Sequence, residues 1–298
     1  MLYSKLGKSD LEVSEIGFGC MSLKGDAAAN EKIVKRALEL GINYFDTADL
    51  YDKGENEILL GKLLKADRPK AIIATKVGNQ WRPDGSGWDW NASKAYIISA
   101  VEASLKRLQT DYIDLYQLHG GMIDDPIDET IEAFEQLKQE GKIRWYGISS
   151  IRPNVIREYV KRSGIVSVMM QYSLLDRRPE EEVLTLLKEN NIGVVTRGSV
   201  AQGLLVDKPA KAYLDWSPAQ VEQAAAAIRS VTGETGSTAQ TAIRFALQND
   251  AINSAVIGIR TLEQLEDVAS ASDLGLLSEQ EINILQQTVK PQHYTAHR

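Results

Sequence analysis

The sequence predicts an α/β fold: a (β/α)8 TIM barrel with an N-terminal β-hairpin and extra helices near the C-terminus. Apolar strand-like runs alternate eight times with helical segments, and strict alternation favours parallel strands joined by right-handed crossovers. The length of 298 residues is close to the roughly 250 typical of one such barrel. No linker or second block of composition interrupts the chain. Residues 1–298 are therefore expected to form a single domain.

The strands can be placed in order. Alternating residues on either side of Lys8-Ser9-Asp10 predict the hairpin. An open doubly wound sheet is the rival architecture, but eight consecutive units favour a closed barrel. The expected barrel strands are Gly17–Met21, Tyr44–Thr47, Ala71–Lys76, Tyr112–His119, Arg144–Ser149, Val166–Gln171, Gly193–Arg197 and Ala255–Gly258.

Helices are expected after each strand, because apolar residues recur there at spacings of three and four. Ser93 is the expected N-cap of the third helix, and Pro153 is suited to the start of the fifth. After the seventh strand an irregular insertion, Leu204 to Trp216, precedes two helices. These helices are expected at Pro218–Val231 and Thr238–Gln248, and Thr261 opens the helix after strand eight.

Composition excludes some classes of function. The net charge of −7 gives no support to binding of nucleic acid or of an anionic membrane. The single cysteine cannot form an internal disulfide, and no window approaches the ~20 apolar residues needed to span a bilayer. The protein is expected to be cytoplasmic. The sequence does not determine its oligomeric state.

Ionisable residues follow three of the expected strands. Asp46 and Tyr51 come at the end of the second, Lys76 ends the third, and His119 ends the fourth. Catalytic groups of (β/α)8 barrels lie at the carboxyl ends of the strands, so these four side chains should converge on one face.

These residue types suit protonation of a developing alkoxide. A tyrosine has an ordinary pKa of about 10, and a nearby ammonium group lowers that value. Lys76 could supply the ammonium, Asp46 could hold it in place, and His119 could orient a substrate carbonyl. Hydride transfer to a carbonyl carbon creates such an alkoxide. The set therefore predicts carbonyl reduction with a nicotinamide cofactor.

The ordered motifs resemble those of the aldo-keto reductase family, of the bacterial NADPH-dependent type. The resemblance covers nearly the whole chain, and the order and spacing of the motifs make it specific. The matching segments are Gly17-Phe18-Gly19-Cys20-Met21, Phe45 to Tyr51, Ala74-Thr75-Lys76, Asp114 to His119, Gly147-Ile148-Ser149, Gln171-Tyr172-Ser173 and Ile257-Gly258-Ile259-Arg260.

The resemblance implies residue roles. Tyr51 would be the general acid of a catalytic tetrad completed by Asp46, Lys76 and His119, acting on a small-molecule carbonyl substrate. Arg260 would favour NADPH over NADH, because a guanidinium can donate two hydrogen bonds to a 2′-phosphate. The implied cofactor-binding residues are Cys20, Met21, Ser149, Gln171, Arg197, Gly198, Ser199, Gly203, Leu205, Gly258, Arg260, Gln264 and Asp267.

The chain departs from the family pattern at four positions. Ser150 stands where the family often has asparagine, and Arg197 replaces an aromatic residue that stacks on the nicotinamide. Ile257 replaces a common proline, and Val268 replaces an asparagine one helix turn after the adenosine motif. The adenine contacts are the part of the site that these departures affect most.

Other interpretations remain open from the sequence. Lys76 could form a Schiff base in a barrel lyase, or the protein could be an NADPH-sensing regulatory subunit with slow turnover. Trp81, Trp88 and Trp90 could contact an apolar substrate or pack within their own loop. No metal site is expected, because His293 and His297 lie in a tail without nearby cysteines and His119 lies far from both.

Overall fold

The computed structural model describes residues 1–234 and 236–298. Eight of its strands are parallel and form a closed barrel in the order β3-β4-β5-β8-β9-β10-β11-β12, while β1 pairs with β2 and β6 pairs with β7. This confirms the predicted (β/α)8 barrel and its N-terminal hairpin. The strands are β1 (Tyr3–Lys5), β2 (Glu12–Ser14), β3 (Ile16–Gly19), β4 (Tyr44–Asp46), β5 (Ile72–Val77), β6 (Asn79–Trp81), β7 (Trp88–Trp90), β8 (Ile113–Leu118), β9 (Ile143–Ser149), β10 (Ser167–Gln171), β11 (Gly193–Arg197) and β12 (Ile252–Gly258).

Helices surround the barrel, and side chains cap several of their N-termini. Ser93 caps its helix as predicted, and Ser217 and Ser237 each form a capping box. The helices are α1 (Ala27–Glu39), α2 (Glu55–Leu64), α3 (Lys94–Leu108), α4 (Ile127–Gln139), α5 (Pro153–Arg162), α6 (Val183–Glu189), α7 (Pro218–Val231), α8 (Thr238–Leu247), α9 (Leu262–Ser270) and α10 (Glu279–Thr288). Among these described helices, none combines the length and the apolar character needed to cross a bilayer.

Two barrel strands differ from their predicted bounds by two or more residues at one end. The first ends at Gly19, and Cys20–Ser22 form a short 3₁₀ turn. Ser22 ties this turn to the end of the neighbouring strand β12, because its hydroxyl accepts a hydrogen bond from the Ile259 amide at 2.9 Å and lies 2.6 Å from the Ile259 carbonyl. The last strand begins at Ile252, earlier than predicted. The prediction missed its start because Asn253 and Ser254 are polar and interrupt the apolar run.

The N-terminal hairpin closes one end of the barrel. Its buried residues Leu6, Leu11 and Val13 pack in one apolar cluster with inward-facing residues of the barrel, including Tyr44 and Leu115. A second, larger cluster lies between the strands and the helices. Because apolar side chains fill the amino end of the barrel, the carboxyl end is the one available for a site.

Candidate active site

The register of the strands brings the predicted ionisable residues together. Tyr44, Ala74 and Leu115 belong to the inner cluster, and side chains two residues further along a strand face the same way. Asp46 and Lys76 therefore point into the barrel above this apolar floor. His119 directly follows β8, and its amide donates to the Val77 carbonyl at 2.7 Å.

Lys76 and Asp46 form a buried ion pair. Lys76 Nζ lies 2.6 and 2.8 Å from the two Asp46 carboxylate oxygens and donates to the Thr47 carbonyl at 2.7 Å. Only 1% of the Lys76 surface is exposed. Burial alone would lower the pKa of Lys76, but the Asp46 charge, with hydrogen bonds to Asp46 and Tyr51, outweighs it and raises that pKa. Lys76 is thus held as an ammonium group.

Tyr51 lies beside both Lys76 and His119. Lys76 Nζ is 5.2 Å from the centre of the Tyr51 ring, and the Tyr51 and His119 rings meet edge to face with centroids 5.9 Å apart. A turn of left-handed residues, Asp52, Lys53 and Gly54, follows Tyr51 and leads into α2. Left-handed backbone is costly for residues other than glycine and often occurs at functional sites.

The protonation states differ in part from the sequence-based expectation. We expected Lys76 to lower the pKa of Tyr51, but burial raises it, and the Lys76 ammonium offsets only part of this rise. The Tyr51 phenol therefore keeps its proton at neutral pH. Burial, with the charges of Lys76 and Arg197, lowers the pKa of His119 to about 3. His119 is a neutral imidazole, and its Nδ1 has no hydrogen-bond partner among the described residues.

One residue that the sequence did not single out, Asn56, supports the strand ends. Asn56 donates to the Cys20 carbonyl at 2.8 Å and accepts from the Thr47 hydroxyl at 2.7 Å. This amide is buried and ties the ends of β3 and β4 to α2. A polar residue on the inner face of a helix was the only signal of this role.

The residues expected at the nicotinamide end lie on adjacent strands. Arg197 donates to the Gln171 side-chain carbonyl at 2.8 Å, and the Gln171 amide donates to Asp176 at 2.8 Å and to the Tyr213 hydroxyl at 3.2 Å. Ser149 is half-buried, whereas Ser150 is buried and accepts from the Arg152 amide. The exposed Arg197 guanidinium thus lies at the mouth, with Gln171 fixed beside it.

The residues expected at the phosphate and adenosine end fall into two groups. Gly258, Arg260 and Gln264 are exposed, and the Gln264 side chain accepts from the Arg260 amide at 3.0 Å. Gly198 and Gly203 adopt left-handed conformations in the loop after β11. Helix α9 begins next to Arg260, and a helix N-terminus favours anions. A Cβ at Gly258 would make an ordinary van der Waals contact with Ser22 at 3.6 Å.

The other predicted cofactor residues are less accessible. The side chains of Cys20, Ser199 and Leu205 are fully buried, so only their backbone atoms could contact a ligand. Asp267 accepts from the Gln240 amide at 2.9 Å, which links α9 to α8. Met21, by contrast, is 57% exposed on the rim. Exposed guanidinium groups and left-handed glycines fit an extended anionic dinucleotide.

The three tryptophans form a β-hairpin rather than the expected loop. Trp81 pairs with Trp88 across β6 and β7. Trp90 donates to the Asp125 carboxylate at 2.8 Å, and its ring lies so close to Gly78 that a Cβ there would be only 2.6 Å away. Trp81 is half-buried with the Lys53 ammonium 5.2 Å from its ring centre. Trp90 and Trp81 thus pack the hairpin, and Trp88 is the exposed member.

Comparisons with known proteins agree with this architecture. The sequence profile of the Aldo/keto reductase family matches residues 15–290. The chain is 52% identical to an uncharacterized oxidoreductase, YqkF of Bacillus subtilis, over 99% of this chain and 98% of that protein. It is 34% identical to the NADH-specific methylglyoxal reductase of Escherichia coli, covering 70% of each chain.

A solved structure is also similar along the full length. The holo form of aldo-keto reductase AKR11C1 from Bacillus halodurans superposes with a TM-score of 0.94 at 50% sequence identity. The match covers 100% of this chain and 99% of that chain.

Proposed function

The chain belongs to the Aldo/keto reductase family, and from this premise we propose that it reduces an aldehyde or ketone to an alcohol with NADPH. Family membership supports oxidoreductase activity on carbonyl compounds with a nicotinamide cofactor. The choice of NADPH and the roles of individual residues are our inference from the site.

One observation carries the proposal: the Lys76 ammonium, fixed by Asp46, lies beside a protonated Tyr51 phenol at the carboxyl end of the barrel. A phenol in this position is a general acid whose conjugate base is stabilised by the neighbouring cation. His119 adds a neutral imidazole next to the phenol. All three groups are held on strand ends or by packed loops, so little reorganisation is needed during reaction.

The residues have distinct roles in this proposal. When bound, the nicotinamide supplies the hydride that attacks the carbonyl carbon. Tyr51 donates its proton to the carbonyl oxygen, and Lys76 stabilises the phenolate that remains. Asp46 keeps Lys76 charged and oriented, and His119 orients the carbonyl group. Gln171, Ser149 and Arg197 would hold the nicotinamide end, whereas Arg260 and Gln264 would hold the adenosine end.

A Schiff-base lyase receives less support. Schiff-base formation requires a neutral, accessible amine, but Lys76 Nζ is buried and donates to three oxygen atoms. Borohydride treatment with a carbonyl substrate is expected to leave Lys76 unmodified. A covalent adduct on Lys76, detected by peptide mass spectrometry, would contradict the reductase proposal.

Cofactor titration is the direct test of the proposed function. Binding of NADPH and NADH is measured by quenching of tryptophan fluorescence, followed by an aldehyde and ketone panel read from nicotinamide absorbance. We expect tighter binding of NADPH and turnover of at least one carbonyl compound at a rate of about 1 s⁻¹ or more. Tight binding with turnover far below this rate across the panel would favour a sensing subunit instead.

Arg260 provides a test of cofactor choice. The Arg260→Ala variant should bind NADPH about 10- to 100-fold more weakly, because hydrogen bonds to charged groups contribute about 1.5–3 kcal/mol. Its affinity for NADH should change less than about twofold. Arg229→Ala is the matched control, since Arg229 is an exposed arginine on α7 that pairs with Glu222. Equal weakening of both cofactors would show that Arg260 does not bind the 2′-phosphate.

A further inference from the structure

Asp49 lies on the segment that joins Asp46 to Tyr51, yet its side chain does not belong to the tetrad. It is 7% exposed, and its amide donates to the Lys76 carbonyl at 3.3 Å. The Tyr51 amide then donates to the Ala48 carbonyl at 3.1 Å. Asp49 is therefore built into the backbone turn that sets the position of the phenol.

The charged groups that act on Asp49 come from α2, α3 and β5. Glu57 on α2 is fully buried, accepts from the Thr75 hydroxyl and binds the Arg107 guanidinium at 2.6 Å. Burial, and after it the charge of an ionised Asp49, raises the pKa of Tyr96 on α3 and of Tyr116 on β8. Lys76 on β5 is the other cation that acts on Asp49.

This environment contains more buried carboxyl groups than available cations. Arg107 is already bound to Glu57, and Lys76 is already bound to Asp46. Asp49 Oδ1 has no hydrogen-bond partner within residues 1–234 and 236–298, and the same holds for the Tyr116 hydroxyl. When two buried carboxyl groups lie near one cation, ionisation of both is unfavourable because the two negative charges repel each other. The carboxyl group without the ion pair is the one that keeps a proton.

We propose that Asp49 is a positioning residue for Tyr51: its buried carboxyl group keeps a proton, so that the turn carrying Tyr51 packs without a second buried negative charge. This inference rests on the proposed function, because the position of Tyr51 matters as that of the general acid. Ionisation of Asp49 would place a second negative charge beside Glu57. The repulsion would push the turn outward and displace the phenol from the substrate carbonyl.

The protonation equilibrium gives the inference a measurable pH range. Burial, followed by the Glu57 charge, raises the pKa of Asp49 to about 8. Its unfolded value is about 3.9, so between these values the folded protein binds a proton that the unfolded chain releases. The contribution of this proton to the free energy of unfolding is therefore at its full value below about pH 4 and is lost as the pH rises towards 8.

The Asp49→Asn variant tests the inference, because asparagine keeps the size and polarity but cannot ionise. For the wild type we expect kcat at pH 9 to be about tenfold below its value at pH 7. For Asp49→Asn the fall should be less than about twofold. Cofactor affinity should remain unchanged in both. Asp52→Asn is the matched control: it makes the same change three residues later on an exposed side chain and should retain the wild-type pH profile.

A second readout does not depend on activity. The melting temperature of Asp49→Asn, relative to that of the wild type, should rise steadily between pH 5 and pH 8 and then level off. A constant difference across this range would overturn the inference, as would an unchanged alkaline fall in kcat in Asp49→Asn. If no carbonyl compound is reduced, the proposed function fails. The pH dependence of the melting temperature still decides whether Asp49 carries the buried proton.

Discussion

Replacing Tyr51 with phenylalanine is expected to lower kcat for carbonyl reduction by about 10²- to 10⁴-fold, the range typical of a lost general acid. The phenol is the group that would protonate the carbonyl oxygen, and its ring would remain packed against His119. Cofactor affinity should stay within about twofold of the wild-type value, because the expected cofactor contacts lie on other loops. Steady-state kinetics with NADPH and fluorescence titration measure the two quantities.

Tyr3→Phe controls for removal of a hydroxyl group. Tyr3 lies on β1 of the hairpin, at the closed end of the barrel, and its hydroxyl donates to the Gly41 carbonyl. This variant should retain the wild-type kcat. If Tyr51→Phe kept full activity, Tyr51 would not be the proton donor.

Replacing Lys76 with methionine is expected to affect both stability and activity. Asp46 would remain 5% exposed without its counter-ion, and breaking a buried ion pair from one side costs about 3–5 kcal/mol. The free energy of unfolding should fall by that amount in urea denaturation. The kcat should fall at least as far as in Tyr51→Phe, because the phenolate would also lose its stabilising cation.

The double variant Lys76→Met/Asp46→Asn separates these two effects. With both charges removed, no buried charge is left unpaired, so much of the lost stability should return. Activity should not return, because the ammonium beside Tyr51 is still missing. Recovery of kcat together with stability would mean that the ion pair has only a structural role.

The barrel was predictable because its strands are short apolar runs whose order and length match one architecture. Strand ends were less predictable where the chemical signal was weak. Cys20 and Met21 are apolar enough to continue a strand, yet the chain turns after Gly19, where the Ser22 hydroxyl lies 2.8 Å from the Gly19 carbonyl. The tryptophan hairpin does have a signal in the sequence, because Pro83-Asp84-Gly85 is a turn sequence between Trp81 and Trp88.

The placement of the tetrad followed from the barrel, since parallel strands bring their carboxyl ends to one face. Its electrostatics did not follow, because they depend on burial. From sequence, Lys76 was expected to lower the pKa of Tyr51, but desolvation of the phenol outweighs the ammonium. The environment of Asp49 was equally hidden, because the charges that act on it, Glu57 and Arg107, come from two helices. Residue type alone does not reveal how many charges share one buried space.

The central claim is that hydride passes from a nicotinamide to a carbonyl carbon while Tyr51 supplies the proton. The most direct measurement is reduction of an aldehyde from the active panel with NADPH deuterated at both C4 positions, with the alcohol analysed by NMR. The account predicts one deuterium on the carbinol carbon with the wild type and little deuterated alcohol with Tyr51→Phe. An alcohol formed without deuterium at that carbon would contradict it.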